Sequence, residues 1–305
     1  MHDDRGFVET MVGDGRPLLI ATALVLVVCG AFVIFQAATG QFLPHDTAYL
    51  GMTAQQLCAL HDCRIVYFMI HDRISFGGVL VGIGVIYLWL CLFPLRRHEA
   101  WAWWALALSG LAGFLSFLTY LSYGYLDTWH GAGTLVLLPL FAAGLFRART
   151  LRRERVERQP LDLRTAAGIG RALLLLSTFG IVAAGLTITT VGMTRVFVPQ
   201  DLAFMGATPA ELRGVNAHLV PLIAHDRAGF GGALVSCGLA MFVCVLRARP
   251  SRALWQALAL TGLAGFGTAI GIHPVIGYLS VSHVGPAVFG LVVFAAGLAM
   301  TGRAR

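Results

Sequence analysis

Lysine is absent: all 22 basic residues are arginine, and charged residues of either sign make up only 12% of the 305-residue chain. Short motifs that announce common soluble chemistry are missing too. There is no CxxC pair, no P-loop, no dinucleotide-binding glycine motif, no HExxH and no serine nucleophile elbow. What is abundant is apolar sequence. With 57% hydrophobic residues and a mean hydropathy of +0.77, the composition lies far outside the soluble globular range and marks a polytopic membrane protein. The formal charge of +7 does not point to nucleic acid, because the arginines cluster in short segments between apolar runs, where they set topology.

A helix crossing a hydrocarbon core of roughly 30 Å needs about 20 apolar residues. Eight stretches qualify: Leu18–Ala38, Ile74–Phe93, Trp101–Leu121, Ala132–Phe146, Ala172–Val191, Ala228–Leu246, Leu254–Ile272 and Val284–Met300. The first is too long, and preceded by too many acidic residues, to read as a cleaved signal, so it is expected to remain as an anchor. With a cytoplasmic N-terminus, seventeen arginines fall on the inner side and only Arg64, Arg73, Arg195, Arg213 and Arg227 on the outer side. That asymmetry predicts a multi-pass protein of the plasma (inner) membrane with both termini cytoplasmic. Of the ten histidines, only His2 and His98 then lie inside. The polar chemistry is expected on the outer face.

The chain repeats itself. FLPHDTAYLG at Phe42–Gly51 matches FVPQDLAFMG at Phe197–Gly206, LSGLAGF at Leu108–Phe114 matches LTGLAGF at Leu260–Phe266, and FAAGL recurs at Phe141 and Phe294. The order is kept, with an offset that drifts from about 155 to about 152 residues. Residues 1–150 and 165–305 therefore read as two four-helix membrane repeats joined by an Arg-rich cytoplasmic linker, 151–164. Because each crosses an even number of times, the fold expected is all-α, eight transmembrane helices in two parallel repeats, with a pseudo-two-fold along the membrane normal.

The duplication includes two charged triplets, IHDRISFGG at Ile70–Gly78 and AHDRAGFGG at Ala224–Gly232. One reading is structural: Asp72 and Asp226 favour a helix N-terminus, and Arg73 and Arg227 snorkel to lipid headgroups. Gly78 with Gly82, and Gly232 with Ser236, are small pairs that bring helices close. The other reading is functional. His130 and His283 open the last span of each repeat, at nearly equal separations from His71 and His225. A pair His71–His130, and a pair His225–His283, could ligate a b-type haem whose propionates meet Arg73 and Arg227. They could equally hold a transition metal with Asp72 or Asp226 as an oxygen ligand, or, with the arginines, recognise a quinone, a lipid headgroup or a small anion. Asp46, Asp201 and His273 are further polar residues of the outer face, the aspartates preceding short capped segments that begin at Thr53 and Thr208.

Cys58 and Cys63 fall on the outer, oxidising side, where a disulfide is compatible with the compartment but not with a shared helix. The function expected from the residues is membrane redox chemistry by a bound haem, metal or quinone near the outer surface, in contact with the lipid bilayer. Two other readings remain open, a small-ligand transporter and a non-catalytic subunit that assembles with another membrane protein.

Overall fold

A computed structural model describes residues 12–121, 128–153 and 160–302, together with Gly6, Glu9 and Tyr125. It is all-helical, with no strand among the described residues. In chain order the helices are α1 (Arg16–Ala38), α2 (Pro44–Leu50), α3 (Ala54–Cys58), α4 (Arg64–Leu92), α5 (Ala100–Ser116), α6 (Leu118–Leu121), α7 (Thr128–Ala148), α8 (Ala166–Thr194), α9 (Pro199–Met205), α10 (Pro209–Val215), α11 (Leu219–Arg247), α12 (Arg252–Ile276) and α13 (Val281–Gly302). Seven of these, α1, α4, α7, α8, α11, α12 and α13, are long and apolar enough to cross a membrane. The shorter apolar helix α5 is followed by the single turn of α6. Ser116 Oγ donates to the Gly113 carbonyl and Thr119 Oγ1 to the Ser116 carbonyl, local bonds that compete with a continuous helical ladder at this break.

Two helices form the centre. The most apolar stretches of α4 and α11 are 67% buried, against 22% or less for the other five spans. Helix α4 packs against α1 on one side and α12 on another; α11 packs against α8 and α5; and α4 and α11 touch each other. The helices following each central span thus lie against the central helix from the other end of the chain. Absent side chains allow the close approaches. A Cβ on Gly77 would sit 2.7 Å from the Gly30 carbonyl oxygen, and one on Gly231 would sit 2.8 Å from that of Gly185. Across the other contact, a Cβ on Gly78 would collide with Thr268, and one on Gly232 with Ser116. Ser109 and Ser236 each donate 2.8 Å hydrogen bonds to the other's carbonyl, tying α5 to α11.

Both central helices have 29 residues, about 43 Å at 1.5 Å per residue, longer than the ~30 Å hydrocarbon core. Their extra length begins at Arg64 and Leu219, so His71 and His225 lie about two turns inside the helices. The triplets therefore do not sit at helix starts, and their aspartates are too far in to serve the N-terminal dipole, which acts over the first turn.

Beyond the triplets, α2, α3, α9 and α10 fold over the N-terminal ends of α4 and α11. Leu50, Leu57, Phe68, Met205, Leu212 and Leu222 join there in an apolar cluster separate from the mid-membrane core. Capping boxes start two of these short helices: Thr53 with Gln56, and Thr208 with Glu211. Cys58 and Cys63 are joined by a disulfide. Helix α3 ends at Cys58, and His61, Asp62 and Cys63 all have positive φ, so the two cysteines do not share a helix.

Candidate metal centre

Between the cap of short helices and the larger apolar core, the two triplets exchange partners. Arg73 on α4 donates from Nε to Asp226 on α11 and from Nη1 to Asp46 on α2, both at 2.8 Å. Arg227 on α11 donates from Nη1 to Asp201 on α9 and to the Val196 carbonyl, and its Nε lies 3.4 Å from Asp72 of α4. Each outer aspartate also accepts a tyrosine hydroxyl: Tyr125 to Asp46 at 2.9 Å and Tyr278 to Asp201 at 2.8 Å. Each histidine leans on the aspartate beside it, His71 Nδ1 at 2.9 Å from Asp72 and His225 Nδ1 at 3.3 Å from Asp226. Phe42 covers the Arg73 guanidinium and Phe68 that of Arg227. Every group on the Arg73 side thus has a counterpart on the Arg227 side.

The match ends at the imidazoles. His71, His273 from the end of α12 and His283 from the start of α13 offer ligand nitrogens that all lie within 4.8 Å of one another. Their ring centroids are 4.5 Å apart for His71–His273, 5.5 Å for His71–His283 and 5.4 Å for His273–His283. His71 and His273 are 5% and 4% exposed. Neither ring nitrogen of His273 makes a hydrogen bond of good geometry, although the Ala269 and Ile270 backbone of its own helix lies close to the ring. Asp72 can only accept, so the proton of His71 sits on Nδ1 and leaves Nε2 available as a ligand. Tyr278 stacks on His283 at 4.4 Å. Burial, and next the adjoining Asp201 carboxylate, push the Tyr278 phenol above its ordinary range, which keeps its hydroxyl a donor.

The site draws His71 together with His283, residues that spacing within a repeat would assign to different pairs. The cause is the packing of α12 against α4, which carries His273 and the start of α13 across to the N-terminal half. His225 stands on Asp226 and against the Tyr125 ring, 5.1 Å away. The His130 side chain lies outside the described residues, as do Asp127 and residues 154–159 of the linker. Asp46 and Asp201, far from the triplets in sequence, turn back onto the arginines and are almost fully buried.

Tyr125 and Tyr278 escaped the sequence reading, although the repeated Gly-Tyr-Leu at 124–126 and 277–279 was a usable signal. His273 looked like an isolated polar residue because no histidine stands at the matching place of the first copy.

No protein-family model matches this chain, and no curated protein or solved structure matches it significantly.

Proposed function

We propose that this is a multi-pass inner-membrane metalloprotein that binds one transition-metal ion through His71, His273 and His283 near the outer surface and uses it in membrane redox chemistry. The observation that carries the reading is the convergence of three imidazoles, two of them buried. Three neutral imidazoles suit copper, iron or nickel, which can carry the redox role, as well as redox-inert zinc, and a three-histidine set leaves a coordination position open for water or substrate. Asp72 behind His71 is an outer-shell carboxylate that orients a ligating ring, and Asp201 Oδ1, 3.8 Å from His283 Nδ1, places a second negative charge beside the site.

Charge supports a cation as well. The network holds four carboxylates, Asp46, Asp72, Asp201 and Asp226, against two guanidiniums, Arg73 and Arg227. A divalent ion would balance that buried excess. A bare ion is favoured over haem. Axial imidazoles on opposite faces of a haem have centroids roughly 6 Å apart with the macrocycle between them, whereas His71 and His273 are 4.5 Å apart with a third imidazole beside both. A transport path is disfavoured because Ile83, Ile86, Leu90, Met241 and Val245 fill the inner halves of α4 and α11.

The same reading takes the chain as eight spans, with α5 and α6 as the third, in two parallel repeats, 1–150 and 165–305, about a pseudo-two-fold along the membrane normal. The reciprocal bonds of Arg73 and Arg227 support it, as do the matched tyrosine–aspartate pairs. Both termini are assigned to the cytoplasm by the arginine distribution, and the Cys58–Cys63 disulfide fits the oxidising side. Reporters fused after Arg97 and Arg249 should register cytoplasm, and those after Thr53, Ala207 and Ser280 the outer side; an outer signal after Arg97 or Arg249 would reverse the orientation. For the metal, the purified chain should retain close to one equivalent of a first-row ion by elemental analysis. Failure to bind zinc, copper, iron, cobalt or nickel at micromolar concentration would end the proposal.

A further inference from the structure

A second feature lies on the opposite side of the network. A small cavity of about 70 Å³ has a mostly apolar wall, with Asp46, Arg73, His225, Asp226, Gln36 and Gln41 forming its polar edge. It continues into an almost wholly apolar cavity of about 240 Å³ that descends between α1, α4, α5 and α7 as far as Tyr87 and Phe141. The two share Phe32, Val33, Leu43, His45, Phe76 and Gly229, so they form one space with a polar head and an apolar stem. Phe32 and Trp129, 42% and 60% exposed, frame its opening among the apolar spans.

We infer that this space seats the head and first tail units of an isoprenoid quinone or quinol drawn from the bilayer. This deepens the redox reading above, on which the choice of a quinone head rests. An amphipathic cavity opening among membrane spans selects a lipid-soluble molecule. The head end excludes an anionic lipid: Arg73 is already shared by two carboxylates, Asp46 and Asp226, so a phosphate would meet net negative charge. An uncharged head that accepts or donates hydrogen bonds at two oxygens suits the glutamines, imidazoles and carboxylates present. The stem is walled by Phe76, Phe114, Phe117, Phe141 and Trp129, surfaces that suit a flat ring and an unsaturated tail better than a saturated chain. The space falls at the small end of ligand sites, ~300–1,000 Å³, so a long tail would leave through the opening into lipid. Two polar groups of the head are unmatched in the other half: Gln36 and Gln41 correspond at the 155-residue offset to Val191 and Val196. The C-terminal half supplies two of the three metal-site histidines, whereas both halves line the quinone seat.

The test uses the full chain in lipid nanodiscs, with a decyl-substituted benzoquinone and a four-prenyl naphthoquinone as probes, and tryptophan quenching as readout. A Cβ on Gly133 meets nothing within 4 Å, so Gly133→Phe fills the stem without a backbone clash and improves helix propensity. Expected are saturable quenching by the wild type, a loss of affinity of at least tenfold in Gly133→Phe, and a loss of about fivefold in Gln36→Leu, with unfolding temperature and metal content unchanged in both. Gln36→Leu also carries the test if Gly133→Phe does not fold. No saturable quenching, quenching indifferent to both variants, or equal displacement by a short-chain phosphatidylglycerol would overturn the inference. Metal content is read on the same samples. Quinone binding without metal would end the metal proposal and leave the cavity assigned; metal without quinone binding would do the reverse.

Discussion

His283→Ala should lower affinity for the bound ion at least 100-fold, and His273→Ala should do the same, measured by competition with a chromophoric chelator. That factor corresponds to roughly 2.8 kcal/mol at 1.4 kcal/mol per tenfold. It follows from reducing three imidazole donors to two in a site whose carboxylates are engaged elsewhere. Asp72→Asn should cost less, 10–100-fold, because it loosens the orientation of His71 without removing a ligand. His225→Ala should leave the ion in place, since His225 leans on Asp226 and Tyr125 and not on the three-imidazole cluster. The metal-free protein offers a contrast. His273 has no side-chain hydrogen bond to lose, so His273→Ala should cost the apo form little beyond its packing, about 1–2 kcal/mol. A variant that lost ion and fold together would mean that the three rings serve structure first.

Asp201→Ala should be the most destabilising single change among the charged residues of the centre, costing about 3–5 kcal/mol in reversible unfolding in mixed micelles. Asp201 is fully buried. It accepts from Arg227, from the Tyr278 hydroxyl and from the Val198 amide that starts α9. Its loss would leave Arg227 with a carbonyl and with Asp72 at 3.4 Å, a buried cation poorly neutralised. Asp46→Ala should cost less, because Arg73 keeps its 2.8 Å bond to Asp226 and its side chain is 14% exposed. Combining Asp201→Leu with Arg227→Met should cost less than the two changes added, as removing both members of a buried pair avoids the stranded charge. Equal costs for Asp46→Ala and Asp201→Ala would contradict the burial argument.

Hydropathy and arginine placement made the membrane class and most spans legible, because both signals are local: a run of apolar residues has to be in lipid or in a core wherever its neighbours are. The apolar run from Ile65 to Phe93, about 43 Å as one helix, left two places open for the triplets, near the interface or a turn or two within it. Charged residues ordinarily argue for a helix end at the interface, but here Arg73 and Arg227 carry His71 and His225 two turns inside by finding carboxylates on the opposite central helix. That compensation is tertiary and leaves no trace in a hydropathy profile. The duplicated spacing of the histidines suggested His71 with His130 and His225 with His283, whereas His71 lies beside His273 and His283 from the C-terminal part of the chain. Whether a third helix folds back on its own half or onto the other is decided by small residues, Gly78 against Thr268 and Gly232 against Ser116, whose meaning appears only once the facing helix is known. The capped outer segments were readable from Thr53 and Thr208. The return of Asp46 and Asp201 onto the arginines depended on turns that composition does not specify.

The most direct measurement is X-ray absorption at the metal edge of the purified chain loaded with one equivalent of Zn²⁺. Three imidazole nitrogens and one further light atom at about 2.0 Å, with outer-shell scattering from three rings reduced to two in His283→Ala, are expected. A sulfur shell at about 2.3 Å, fewer than three imidazoles, or a spectrum unchanged by His283→Ala would contradict a metal centre built from His71, His273 and His283.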